Sequence, residues 1–280
     1  MSTSLNLGKL WVIATPLGND EDLSPRAHRL LQSVDRILAE DTRRTGRLLA
    51  ANGIEAPPLT SFHDFNESNK LSGIIELLSH GQQMALVSDA GTPLLSDPGY
   101  LLVKACREKE IPVSPVPGPS AVIAALSASG IAPLPFSFLG FPPRKENDIK
   151  RFFAPYAHLS TTLIFFERKD RLQMSLKVAF DVLGERSGCI AREITKTHEE
   201  FIPFMLSEYA QVSSELLGEI TVVLGPPDRT IKSPEQAITL LLIQEQTKGG
   251  KPKEIAKRVA ELTHGWTAKE VYDLFQTFEP

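Results

Sequence analysis

The chain has 280 residues, 42% hydrophobic and 23% charged, which suits one large or two medium globular domains and excludes a disordered chain. A formal net charge of −4 excludes a global field that would gather nucleic acid, so an RNA or DNA partner requires a local basic patch. Cys106 and Cys189 lack metal-ligand spacing and read as reduced core thiols; with no export signal at residues 1–4 and no apolar run near the roughly 20 residues that span a bilayer, a cytoplasmic protein without membrane contact is expected.

Residues 10–15 form a short apolar run closed by Pro16-Leu17-Gly18-Asn19-Asp20, a buried strand and its turn. Ser24-Pro25 caps a helix with Leu30, Leu31 and Val34 at helical spacing, and a second strand at 36–39 runs into Glu40-Asp41-Thr42-Arg43-Arg44-Thr45-Gly46-Arg47. Strand, helix, strand begins an α/β unit. Acids beside arginines at a strand end fit either a surface ion-pair cluster or a polar site at the carboxyl edge of a parallel sheet, where ligands of open α/β folds collect. His63, Asp64 and Glu67 have no further His or Cys cluster near them. Substrate contact or helix capping suits them better than a metal, and no metal is expected.

The next apolar run ends in Ser88-Asp89-Ala90-Gly91-Thr92-Pro93, followed by Ser96-Asp97-Pro98-Gly99 and the apolar Tyr100-Leu101-Leu102-Val103: a buried strand, a tight loop and a helix start. Gly91 and Gly99 let backbone approach a ligand, and Ser96 or Asp97 is placed to cap the helix. The carboxylates of Asp89 and Asp97 repel phosphate and suit a cation or hydroxyl groups; a plain connecting loop with an N-cap is the alternative. If the strands are parallel neighbours, this loop, the Thr15-to-Asn19 loop and the Glu40 motif share one sheet edge.

A strand at 111–116 leads to Pro117-Gly118-Pro119-Ser120-Ala121, where Ser120 opens a small-residue helix at 122–129, suited to a flat ligand or to tight helix-on-sheet packing. The pattern then restarts with a strand at 136–141, a Pro142-Pro143 break, a charged helix at 144–156, a strand at 161–166, a helix at 172–183 and strands at 188–194 and 219–224. This divides the chain into α/β domains at 1–117 and 118–228, with a ligand between them. Residues 229–280 read as a small unit of three helices, starting at Ser233-Pro234, 252–262 and 267–278. Lys248, Lys251, Lys253, Lys257 and Arg258 against Glu254 make a local basic patch, either a solvated face or a dock for a phosphate backbone or partner subunit. No Gly-x-Gly-x-x-Gly follows the first strand, and neither a P-loop nor a Gly-x-Ser-x-Gly elbow occurs.

Ala14-Thr15-Pro16-Leu17-Gly18-Asn19, Ala39-Glu40-Asp41-Thr42-Arg43, His63-Asp64, Ser88-Asp89-Ala90-Gly91-Thr92-Pro93 with Ser96-Asp97-Pro98-Gly99-Tyr100, and Ala191-Arg192-Glu193-Ile194-Thr195-Lys196 occur in this order. Together they make nearly the whole chain resemble the ribosomal RNA small-subunit methyltransferase I family, a branch of the tetrapyrrole-methylase superfamily. The resemblance implies two α/β domains of tetrapyrrole-methylase type with an interdomain cleft for S-adenosylmethionine, a small C-terminal helical unit, and usually a homodimer. It implies methyl transfer to the ribose 2′-hydroxyl of a cytidine, conventionally numbered 1402, in the decoding region of 16S rRNA within the small ribosomal subunit.

By the same resemblance, cofactor contact falls on Pro16, Asp89, Ala90, Gly91, Thr92, Ser120, Ala121 and Ala191. A ribose hydroxyl needs its proton removed, and Glu193 and Lys196 are the first candidates, followed by Glu40, Asp41 and Glu167. Arg43, Arg44, Arg47 and Arg192 suit phosphate or ribose contacts, joined by Lys251, Lys253, Lys257 and Arg258 of the tail. The chain departs from the family pattern at Phe166-Glu167-Arg168-Lys169-Asp170-Arg171, where Tyr-Glu-Ser-Pro-His-Arg is common, and at Phe65, where histidine is frequent. A tetrapyrrole-type C-methyltransferase and a non-catalytic ribosome-binding module are the alternatives. The Glu40-to-Arg43 motif and the basic tail weigh against the first, the intact Asp89 loop against the second.

Overall fold

The computed structural model describes residues 7–213, 216–227, 232–263 and 265–277; residues 1–4, the 228/229 boundary and Phe278 lie outside the described residues. Two compact units divide the chain. The first runs to Ala124 and takes in Thr195–Thr197 from far along the sequence, whereas the second holds Ala125–Ile194 and the chain from His198 on. The division falls inside a helix rather than before Gly118.

The first unit comprises β1 (Lys9–Ile13), α1 (Pro25–Ser33), β2 (Arg36–Ala39), α2 (Thr42–Ala51), β3 (Leu59–Ser61), α3 (Glu67–Ser79), β4 (Gln83–Val87), α4 (Tyr100–Glu108) and β5 (Val113–Val116), and the chain enters α5 (Ala121–Ala128). All five strands run parallel in the order β3-β2-β4-β1-β5, so β4 lies between β2 and β1 and the condition for a shared loop edge is met. Alternate residues of β4 face opposite helix layers: Ala85 and Val87 pack with Ala27, Leu31 and Leu49 of α1 and α2, while Met84 and Leu86 pack with Leu78, Leu102 and Cys106 of α3 and α4. Burial on both faces is why these strands read as unbroken apolar runs.

Ser24 caps α1 as expected, accepting from the Ala27 N–H at 3.1 Å. The cap of α4 differs from expectation. Gly99, at φ +123°, occupies that position, so no side chain is there to act, and neither Ser96 nor Asp97 caps the helix. Glu67, buried at the start of α3, instead accepts from the Leu102 N–H at 3.2 Å.

The second unit comprises β6 (Phe136–Phe138), α6 (Glu146–Phe153), β7 (Thr162–Arg168), α7 (Leu172–Leu183), β8 (Ser187–Arg192), β9 (Glu200–Met205) and β10 (Glu219–Leu224). Its mixed sheet has the order β6-β7-β10-β8-β9, with β6 parallel to β7 and the other pairs antiparallel. Ile149, Phe153, Leu176 and Val182 of α6 and α7 cover one face over Leu163, Phe165 and Val222. Arg186 is fully buried. Its guanidinium donates to the carbonyls of Thr161 (3.1 Å), Gly225 (3.0 Å) and Tyr156 (2.9 Å), and burial pushes its pKa down to about 10.

The tail forms α8 (Glu235–Gln246), α9 (Pro252–Glu261) and α10 (Ala268–Thr277), closed over Ile238, Leu242, Ile255, Val259, Val271 and Phe275. Both cysteines are buried and unbridged. Among the described residues no helix is long and apolar enough to cross a membrane.

Candidate active site

Parallel pairing brings the carboxyl ends of all five strands of the first unit to one edge, and polar bonds fasten the loops there. Thr15 and Gly91 exchange backbone bonds at 2.9 and 3.0 Å, and the Thr15 hydroxyl donates to the Ser88 carbonyl at 3.2 Å. The Thr92 hydroxyl reaches the Pro119 carbonyl at 3.0 Å, which seats the loop of Ser120 and Ala121 beside that of Ala90 and Gly91. Pro16 is buried next to the Thr15 bridge. Leu94 (φ +76°) and Ser96 (φ +71°) hold left-handed backbone without being glycine, a strain that fastened loops of this kind sustain and that clusters at functional sites.

The edge is acidic. The Asp41 N–H donates to Asp89 Oδ1 at 3.0 Å, the Asp89 N–H to Glu40 Oε2 at 3.4 Å, and Arg44 pairs with Asp89 Oδ2 at 3.2 Å. Burial, then the charge of Asp89, raises the pKa of Glu40. Burial and the charge of Glu40 push Asp97 up to about 7, against a hydrogen bond from Ser88 that lowers it. Asp41 behaves oppositely: it caps α2, and its bonds from Arg43 hold its carboxyl down at about 2. Sequence reading allows Asp97 a cap or a place in an acidic ligand loop and puts that loop and the Glu40 motif at one edge; the approach of Asp64 to them appears only in three dimensions. Among the described residues no group of three His, Cys, Asp or Glu is placed to hold a metal.

Lys196 belongs to the first unit, and its side-chain stem lies across the backbone of Gly18. A Cβ added at Gly18 would stand 2.2 Å from Lys196 Cγ and 3.0 Å from Cε. Glu193 belongs to the second unit, in left-handed backbone at φ +49°, and its Oε1 accepts from the Glu219 N–H at 2.9 Å. Its carboxylate fills the space where Gly218 lacks a Cβ.

The other residues singled out in the sequence divide by their partners. Glu167 is fully buried and accepts from Arg171 (3.0 Å), the Arg168 N–H (2.8 Å) and the Ser175 hydroxyl, so its carboxylate serves the start of α7. Ala191 is buried on β8, and neighbouring Arg192 pairs with Glu200 at 2.8 Å and reaches the Leu217 carbonyl. Arg43 is exposed and paired with Asp41, and Arg47 is exposed further along α2. In the tail, Arg258 turns inward to Glu245 at 2.8 Å and to the Gly249 carbonyl at 2.9 Å. Lys251, Lys253 and Lys257 are exposed.

The sequence profile of the Tetrapyrrole (Corrin/Porphyrin) Methylases matches residues 9–210. Among solved structures, a uroporphyrin-III C-methyltransferase from Thermus thermophilus complexed with S-adenosyl homocysteine aligns at TM-score 0.55 and 21% identity, covering 78% of this chain and 97% of that one. The fold is that of these methylases. "Ribosomal RNA small subunit methyltransferase I" of Xylella fastidiosa is 42% identical over 95% of this chain and 98% of its own length. The protein of the same name from Thermotoga maritima is 44% identical over 78% of this chain and 99% of its own. The chain belongs to the ribosomal RNA small subunit methyltransferase I family, within the tetrapyrrole methylases.

Proposed function

We propose that this chain directs the methyl group of S-adenosylmethionine onto the ribose 2′-hydroxyl of one cytidine of 16S rRNA in the small ribosomal subunit, the decoding-region nucleotide numbered 1402, and that it works as a cytoplasmic homodimer. The observation that carries the reading is the 42% identity to the Xylella protein across nearly the full length of both chains. Methylation of small-subunit rRNA is the activity in the family's name; the acceptor atom, the nucleotide, the dimer and the compartment go beyond that name. The likeness to uroporphyrin-III methyltransferases is one of fold alone, which does not choose an acceptor.

The residues present fit this cofactor. The carboxylates of Asp89, Asp97 and Glu40 oppose a sulfonium cation, and Gly91, whose added Cβ would stand 3.1 Å from Leu17 Cδ2, keeps the loop thin where it bridges to Thr15. When bound, the cofactor supplies an electrophilic methyl group. The chain's own part is to hold it through Pro16, Asp89, Ala90, Gly91, Thr92, Ser120, Ala121 and Ala191, to set the hydroxyl in line, and to take the hydroxyl proton. Lys196 is our first choice for that proton, because it belongs to the unit that carries the acidic edge and its stem crosses Gly18 in the loop after β1. A lysine accepts a proton only as the free amine.

The test is transfer of labelled methyl to small subunits lacking the modification, with the product mapped by nuclease digestion and mass spectrometry. Label on the 2′-oxygen of that one cytidine supports the reading. Label on a base carbon or another nucleotide, or no transfer despite cofactor binding, refutes it, and sedimentation of the free protein tests the dimer.

A further inference from the structure

Phe141 is 53% exposed on a loop built to keep it in place. Gly140 (φ +71°) turns the chain at the end of β6, where the Leu139 N–H donates to the Ile164 carbonyl at 2.8 Å and the Phe166 N–H to the Gly140 carbonyl at 3.0 Å. Beyond Phe141, Arg171 donates to the carbonyls of Pro142 (2.6 Å) and Pro143 (3.2 Å), and buried Glu167 fixes Arg171. The ring rests on Phe166, centroids 5.4 Å apart, and Phe166 meets Phe138 edge-on at 4.9 Å. Phe138 pairs in register with Ile164, so Phe138 and Phe166 share the sheet face opposite the α6/α7 core. A rigid loop thus spends two prolines and a buried ion pair on holding an aromatic ring in water.

The surroundings say what covers it. Arg144 and Lys145 follow Pro143, Arg168 ends β7 and Lys169 follows it at the same end of the two strands, and all four are exposed. Their acidic neighbours are taken: Asp170 pairs with Arg168, Glu146 with Lys150 and Asp148 with Arg151. We infer that Phe141 and these cations form a platform for an unpaired stretch of the RNA substrate, one base stacked on Phe141 and the adjoining phosphates on Arg144–Lys145 and Arg168–Lys169. Aromatic rings stack bases of any sequence once they are unpaired, whereas a paired A-form helix offers no free base face. A second copy of the chain fits less well, because a self-paired patch would oppose these cations to themselves. The inference rests on the RNA-methylating reading above and deepens it.

The experiment measures binding of the full chain to a fluorescein-labelled single-stranded RNA of about 12 nucleotides and to its duplex, with cofactor affinity by calorimetry and self-association by sedimentation. Phe141→Ala should weaken single-strand binding by roughly 5- to 150-fold, leave cofactor affinity and thermal midpoint unchanged, and be rescued by Phe141→Trp. Arg144→Ala with Lys145→Ala should flatten the dependence of log affinity on log salt by about 1.4, two single-strand phosphate contacts at roughly 0.7 each. The inference is overturned if Phe141→Ala stays within twofold of the parent, if it weakens duplex equally, or if the parent binds neither RNA. Loss of self-association in Phe141→Ala with RNA affinity per copy intact also overturns it, in favour of a self-interface. Methyl found on a different acceptor sinks the reading above while leaving these outcomes intact.

Discussion

Gly18→Ala tests the placement of Lys196 with the smallest possible change. The added methyl lands 2.2 Å from Lys196 Cγ, and ordinary contact begins at 3.4 Å, so that carbon must retreat by about 1.2 Å. The backbone at Gly18 is not among the positive-φ positions, so alanine is accommodated there and restricts the unfolded chain, a gain of roughly 0.4–1 kcal/mol that offsets part of the clash. A flexible lysine stem yields easily, which leaves stability near the parent's while the amine moves off its line. Displacement of a catalytic group by about 1 Å costs up to roughly 100-fold, so kcat for methyl transfer to small subunits should fall by about 10- to 100-fold. KM for subunits and the cofactor Kd should hold within a factor of about two. The decisive assay is a double-mutant cycle: in a Lys196→Ala background Gly18→Ala has nothing left to displace, and its effect on kcat should vanish. Parent-like kcat in Gly18→Ala, or effects that add in the double variant, would refute the placement.

Glu167→Gln breaks a buried ion pair and should cost about 3 kcal/mol in denaturant unfolding with cofactor affinity unchanged; equal loss of both would mean Glu167 serves the cofactor site instead. Asp97 binds a proton more tightly folded, at about 7, than unfolded, so its contribution to stability is complete below the ordinary carboxylate value of 3.8 and is lost as pH rises through about 7. Asp97→Asn should therefore lose less thermal midpoint than the parent between about pH 4 and pH 7, and parallel profiles there would count against the buried acid. Replacing Lys251, Lys253 and Lys257 together by Glu should weaken subunit binding and flatten its salt dependence by at least about 2, with kcat kept. Arg258→Ala should instead destabilise the tail, by about 1–3 kcal/mol, because its head serves Glu245 and the Gly249 carbonyl; pure loss of RNA affinity would reverse that assignment.

The parallel sheet of the first unit was legible because its strands are continuous apolar runs punctuated by proline and glycine, the pattern that burial on two faces produces. Two strands escaped for physical reasons. Three-residue β3 follows Pro57-Pro58 and carries no periodicity, and β9 is a half-exposed edge strand with Pro203 inside it, where alternation is weak. Glu67 capping α4 from 35 residues away has no local signal. The same holds for the site. The Asp89 loop stood out by composition, yet the raised pKa of Asp97 depends also on Glu40 and Asp64, which lie on other loops. Pro16-Leu17-Gly18-Asn19 read as a turn, and nothing in it tells whose side chain crosses Gly18. Phe141 read as the end of a strand that stops at Phe138, since exposure of a ring is a property of the fold.

Charge separates the two tasks this enzyme performs. The sheet edge gathers Glu40, Asp41, Asp64, Asp89 and Asp97, an environment that favours a cationic cofactor and repels a phosphate backbone. The cations beside it are matched by these acids: Arg44 pairs with Asp89 and Arg43 with Asp41. On the proposed function, RNA affinity is expected to draw on exposed cations outside that edge, such as those of the loops after β6 and β7 and the face of α9. On the same proposal, the chemistry asks of the RNA one ribose at an acidic edge, with binding contacts made elsewhere. Added salt should therefore raise KM for subunits steeply, while kcat at saturating subunits changes little.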